Sequence, residues 1–102
     1  SLAEVAIAGL LPAGAGQPHV LSGKIDRLAV TDAAILIVDY KTNRRPPETE
    51  ADVPAAYIRQ MAIYRAGLRA IYDDRPIRCA LLWTEGPSLM PLSDVILGRH
   101  DP

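Results

Sequence analysis

The chain has 102 residues, of which 49% are hydrophobic and 23% charged, and a formal net charge of −1. That length holds one domain around a single core. The near-neutral charge argues against a free-standing nucleic-acid binder, which ordinarily carries a basic excess, and no run of about 18 apolar residues suggests a membrane span.

In chain order, the opening SLAEVAIAGL lacks the basic flank of a signal peptide. Residues 3–8 have strand composition, and the chain enters them directly after Ser1, which suggests a piece excised from a larger protein. Residues 12–18, PAGAGQP, form a Gly/Pro loop. Residues 20–31 predict a second strand with a bulge or close approach at Gly23. After the tight connection DAA, residues 34–41, AILIVDYK, predict a third strand of high β-propensity. Three strands on short turns suggest an antiparallel meander.

Residues 43–54, NRRPPETEADVP, are polar and Pro-rich and are expected to be loop. A helix is predicted over 54–72, with Pro54 in its first turn and one apolar stripe of Tyr57, Met61, Tyr64, Leu68 and Ile71. Arg59, Arg65 and Arg69 are assigned to its solvated face. DDRP ends the helix, and residues 77–84, IRCALLWT, predict a fourth strand joined to the third by a parallel crossover. Cys79 lies within it as a buried small apolar residue. As the only cysteine, it excludes an internal disulfide and suits a reducing cytosol. The segment after residue 84 has a less distinct pattern and is read as a short edge strand and a frayed tail. The expected fold is an α/β (α+β) mixed sheet of order βββαβ, with a helix on at least one face.

The chemistry concentrates in IVDYKT, residues 37–42. Asp39 and Lys41 are two apart on a strand and share a face. With an even-length turn around Asp32 and Ala33, position 26 pairs with 39, and Asp26 of GKIDRL stands opposite Asp39. Opposed carboxylates repel, so either one holds a proton or a cation sits between them. Lys41 supplies one charge; a divalent ion would supply two, and hard oxygen donors favour Mg2+ or Mn2+ over zinc. Such a site suits metal-assisted hydrolysis of a phosphate ester. The competing reading is ordinary surface charge balance, since D-x-K alone is common. Gln60 lies inside the apolar stripe, four residues from Tyr64, so the helix would present a polar cluster towards the carboxylates. Otherwise Gln60 reaches water from the stripe's edge.

Together, GKIDRLAV, ILIVDYKTNRR and YIRQMAIYRAGL resemble the RecB-type nuclease domains of the PD-(D/E)XK superfamily, and among them the C-terminal nuclease domains of AddA-type helicase–nuclease subunits. The tail CALLWTEGPSLMPL fits the same pattern, and the resemblance covers residues 20–92. It implies a restriction-endonuclease-like fold with a missing N-terminal helix. It implies Asp26 and Asp39 as metal ligands, the Tyr40 carbonyl as a further one, Lys41 as the catalytic lysine, and Gln60 and Tyr64 as the helix motif that supports the site and contacts DNA. Glu4 matches an acidic residue of the family's first strand or is a solvated edge acid. His19 and His100 are taken as non-catalytic. No phosphate loop of the G-x-x-x-x-G-K-[ST] type is present, so ATP would act only through a motor outside these residues.

The resemblance further implies a Mg2+-dependent exonuclease of double-strand-break repair in the bacterial cytoplasm, with an AddB-type partner subunit and single-stranded DNA ends fed by a helicase. Lys24, Arg27, Arg44 and Arg45 would then give local phosphate contacts. The alternatives are another repair or restriction nuclease of the same fold, and a degenerate nuclease fold kept as a structural or protein-binding module.

Overall fold

The computed structural model describes residues 2–6, 24–43 and 45–102. Among the described residues, five strands form one sheet in the order of the chain: β1 (Leu2–Ala6), β2 (Lys24–Val30), β3 (Ile35–Lys41), β4 (Ile77–Trp83) and β5 (Ser88–Leu92). Pairs β1–β2, β2–β3 and β4–β5 are antiparallel, and β3–β4 is parallel. The parallel pair is joined through helix α1 (Ala55–Ile71), and a short helix α2 (Asp94–Gly98) follows β5. The mixed α/β sheet expected from the sequence is thus present, with β5 as the short edge strand and the helix α2 in place of the expected frayed tail. Among the described residues no helix is long and apolar enough to cross a membrane.

The β2–β3 register pairs Arg27 with Val38 and Val30 with Ile35, the even pairing expected from the sequence. Its turn has an unusual hydrogen-bond economy. The Thr31 hydroxyl donates to the Ala34 carbonyl at 2.9 Å and accepts from the Ala34 amide at 3.1 Å. The Thr31 carbonyl instead accepts from the Arg75 guanidinium at 2.8 Å. No turn residue takes a positive φ, so an ordinary Asp-Ala pair serves where a tight primed turn would demand Gly or Asn.

Strand alternation directs Ile35, Ile37, Asp39 and Lys41 to one face of β3, and β4 places Ile77, Cys79, Leu81 and Trp83 beside them. Helix α1 covers this face. The Cys79 thiol donates to the Met61 carbonyl at 3.8 Å, and burial pushes that thiol up to about 12. Met61, Tyr64 and Leu68 of the predicted stripe are buried, and Tyr57 and Ile71 pack at its margins. Burying such side chains contributes about 1.5–3 kcal/mol each.

Several expectations need correction. The described parts of β1 and β2 are Leu2–Ala6 and Lys24–Val30, and the expected strand positions 7–8 and 20–23 lie outside the described residues. The Gly23 bulge and His19 lie outside the described residues, whereas a register shift occurs in β1 between Ala3 and Val5. Glu4 falls at that shift, and its side chain is outside the described residues. Pro54 caps α1 rather than entering its first turn. The loop at 43–54 contains a 3-10 turn, Glu50–Asp52. Its Glu50 carboxylate accepts from the Ser93 amide at 2.8 Å and hydroxyl at 2.6 Å, bonds that hold the carboxyl below its usual range. Ser93 caps α2 by accepting from the Ile96 amide.

The largest correction concerns Arg65, which is buried at 2% exposure rather than solvated. Its guanidinium donates to Asp94 at 3.0 Å and to Asp101 at 3.2 Å, partners supplied by the tail expected to fray.

Candidate metal centre

The site forms at the C-terminal end of β3, where the strand's apolar run gives way to Asp39, Tyr40 and Lys41. The apolar residues bury the strand, so its last inward-facing positions carry their charges to the edge of the core. Asp26 stands across from Asp39 by continuation of the β2–β3 register, and its carboxyl is near enough to raise that of Asp39. Asp26 also accepts the Tyr40 amide at 2.8 Å. That bond fixes Asp26 on the strand end and gives the amide a partner in place of a ladder carbonyl.

Asp39 is buried. Burial pushes its carboxyl above the ordinary range, Lys41 pulls it back, and the hydrogen bond and charge of Asp26 raise it again. The Lys41 amine lies 2.7 Å from Asp39 Oδ2. It also sits 3.8 Å from the centroid of the Tyr57 ring. From α1, Gln60 Nε2 donates to the Tyr64 hydroxyl at 3.0 Å. Tyr64 is buried, and burial first, then the negative charge of Asp39, raise its phenol, with Gln60 partly opposing.

Asp26, Asp39, Lys41, Gln60 and Tyr64 thus converge on one region between β2, β3 and α1. Gln60 is exposed rather than buried in the stripe, and its amide bonds inward to Tyr64. Tyr57, read from the sequence simply as a stripe residue, packs on the lysine. The signal was available in its spacing, four residues before Met61 and seven before Tyr64, but nothing in that spacing says that its ring would meet Lys41. Arg27 is exposed, and its Nε donates to the Tyr40 hydroxyl at 2.8 Å. Arg45 is exposed, and Arg44 lies outside the described residues. His100 is in the tail after α2.

The donors suit a hard divalent cation. Two carboxylates held together against their repulsion offer oxygen ligands, and an ion between them would replace a shared proton. The Tyr40 carbonyl is adjacent in the chain. Among the described residues no group of three or more His, Cys, Asp or Glu surrounds a common point. A pair of carboxylates is nevertheless the usual protein share for Mg2+, whose other positions go to water and phosphate oxygens.

A family model described as the PD-(D/E)XK nuclease superfamily matches residues 2–90. No curated protein and no solved structure matches the chain.

Proposed function

This chain belongs to the PD-(D/E)XK nuclease superfamily, and from that premise we propose that it is a Mg2+- or Mn2+-dependent deoxyribonuclease domain with Asp26, Asp39 and Lys41 at its centre. The observation that supports this reading most is the cross-strand carboxylate pair beside a lysine amine 2.7 Å from Asp39.

Asp26, Asp39 and the Tyr40 carbonyl would hold the metal, which when bound polarises a phosphodiester and lowers the pKa of a water. The protein's own groups do the rest. Lys41 presents fixed positive charge where negative charge develops on the phosphate, or orients the attacking water. The Tyr40 amide holds Asp26 in place. Gln60 and Tyr64 support the site from α1, and the exposed Gln60 is the one placed to contact the nucleic acid.

The finer role we propose is exonuclease action on single-stranded DNA ends in double-strand-break repair. The domain would be part of an AddA-type helicase–nuclease with an AddB-type partner in the bacterial cytoplasm, and ATP would be used only by the motor. A motor that feeds DNA into the site removes the need for strong intrinsic affinity, which accords with the net charge of −1. Lys24, Arg27, Arg44 and Arg45 then supply local phosphate contacts.

The test is cleavage of end-labelled single-stranded DNA with Mg2+ or Mn2+. The wild type cuts and Lys41→Ala does not; full activity in the variant would place the chemistry elsewhere. Joint substitution of Arg44 and Arg45 by alanine weakens binding and flattens its salt dependence, whereas an unchanged slope would move the DNA path.

A further inference from the structure

We infer that Tyr57 is a positioning residue for Lys41: its ring is the platform on which the amine is held against Asp39. This inference rests on the nuclease reading for its consequence, though not for its geometry. A lysine has a long flexible stem, and an amine poised for chemistry must lose that freedom. Here two contacts from different elements restrict it. Asp39, on the same strand, takes the amine at 2.7 Å. Tyr57, on the first turn of α1, places its ring face 3.8 Å from the same nitrogen.

A cation over an aromatic face is attracted by the ring's quadrupole, more strongly as the pair is desolvated. The Lys41 side chain is only 14% exposed, so the contact operates largely away from water. The ring is itself tethered. The Tyr57 hydroxyl and the Asn43 side-chain amide exchange hydrogen bonds at 3.3 and 3.4 Å. Asn43 lies two residues beyond Lys41, so strand β3 and its continuation grip the ring at both ends. The amine approaches one face and the amide holds the hydroxyl. Tyr57 also packs against the core, which fixes the ring relative to α1. The device therefore couples the position of the lysine to the docking of the helix.

The ring face and the hydroxyl have separable effects. Tyr57→Phe keeps the platform and removes the tether; Tyr57→Leu keeps apolar packing and removes the platform. The test compares both with the wild type in two measurements. The first is the NMR position of the Lys41 ε-methylene protons, assigned by their disappearance in Lys41→Arg. Over a ring face they lie upfield of an unstructured lysine. The second is metal-dependent cleavage resolved into kcat and KM.

The expected result is an upfield signal in wild type and Tyr57→Phe, and its return towards the unstructured position in Tyr57→Leu. With it, kcat falls about 10-fold in Tyr57→Leu while KM is little changed, and Tyr57→Phe restores most of the rate. An ordinary packing role would lower stability without this split. A Lys41 signal that is the same in Tyr57→Leu as in wild type overturns the inference, as does a kcat in folded Tyr57→Leu equal to wild type. If the wild type shows the upfield signal but no cleavage, the nuclease reading fails and the positioning geometry stands.

Discussion

Two clusters in this protein have the same composition, two aspartates around one cation, and differ in how their acids are buried: Asp39 and Lys41 are both withdrawn from water, whereas Arg65 is buried against acids that stay exposed. At Asp26, Asp39 and Lys41 a carboxylate is sunk into the fold, with the Asp39 side chain 9% exposed. At Arg65, Asp94 and Asp101 the cation is sunk, with Arg65 at 2% and the Asp94 side chain at 79%. In the second cluster the buried charge is met by two acids that keep their access to water. It is a closed arrangement that pins α2 and the tail to α1. In the first, the acids crowd each other, and burial raises the carboxyl of Asp39 even with Lys41 beside it. That arrangement favours a proton or a further cation beside the acids. A buried cation met by exposed acids makes a latch, whereas a buried acid crowded by a second acid leaves negative charge that one lysine only partly offsets.

The contrast can be broken most sharply by removing one member from each side. Asp39→Ala should reduce metal-dependent cleavage by about a thousandfold or more while the domain stays folded, as read by cleavage and circular dichroism together. Arg65→Ala should cost about 2–4 kcal/mol of stability through the cavity and the lost latch. Arg65→Met, which retains bulk, should cost clearly less in denaturant titration.

Glu50, the other acid engaged in holding the tail, titrates with the opposite sign to Asp39. Its folded pKa is depressed from 4.5 by the Ser93 bonds. Its contribution is therefore present above the unfolded value and lost as pH falls through the folded one. Glu50→Ala should cost about 1 kcal/mol at pH 7 and nothing measurable once pH has fallen below the folded value. The smallest effect belongs to Asp39→Asn in the presence of a chelator. Because the native state favours protonated Asp39, its ionisation works against folding as pH rises past 3.8. A neutral amide should leave the melting temperature at pH 7 unchanged or slightly higher, a cost of function accepted by the wild type.

The difference between the clusters also separates what the sequence discloses from what it conceals. The carboxylate pair was legible because β-strands have a period of two and a hairpin of even length fixes its register. Asp26 and Asp39 follow from local geometry once the turn is placed. The helix stripe was legible for the same reason, from a period of 3.6. The latch was not. Arg65 occupies a helix position that an ion-free reading assigns to solvent, and its partners lie 29 and 36 residues onward. Asp94 opens, and Asp101 follows, a five-residue helix too short to show a periodicity. Gln60 was placed inside the stripe by its angle, yet it is exposed; a helical wheel does not show where the core ends. The Tyr57–Lys41 contact joins strand to helix and depends on how α1 docks, which no local pattern encodes.

Binding of a divalent ion between β2 and β3 is tested most directly by calorimetric titration of Mn2+ into the wild type, Asp26→Ala and Asp39→Ala. The prediction is a saturable site in the wild type that is lost in both variants. Unchanged binding in either variant, or no binding in the wild type, would contradict it.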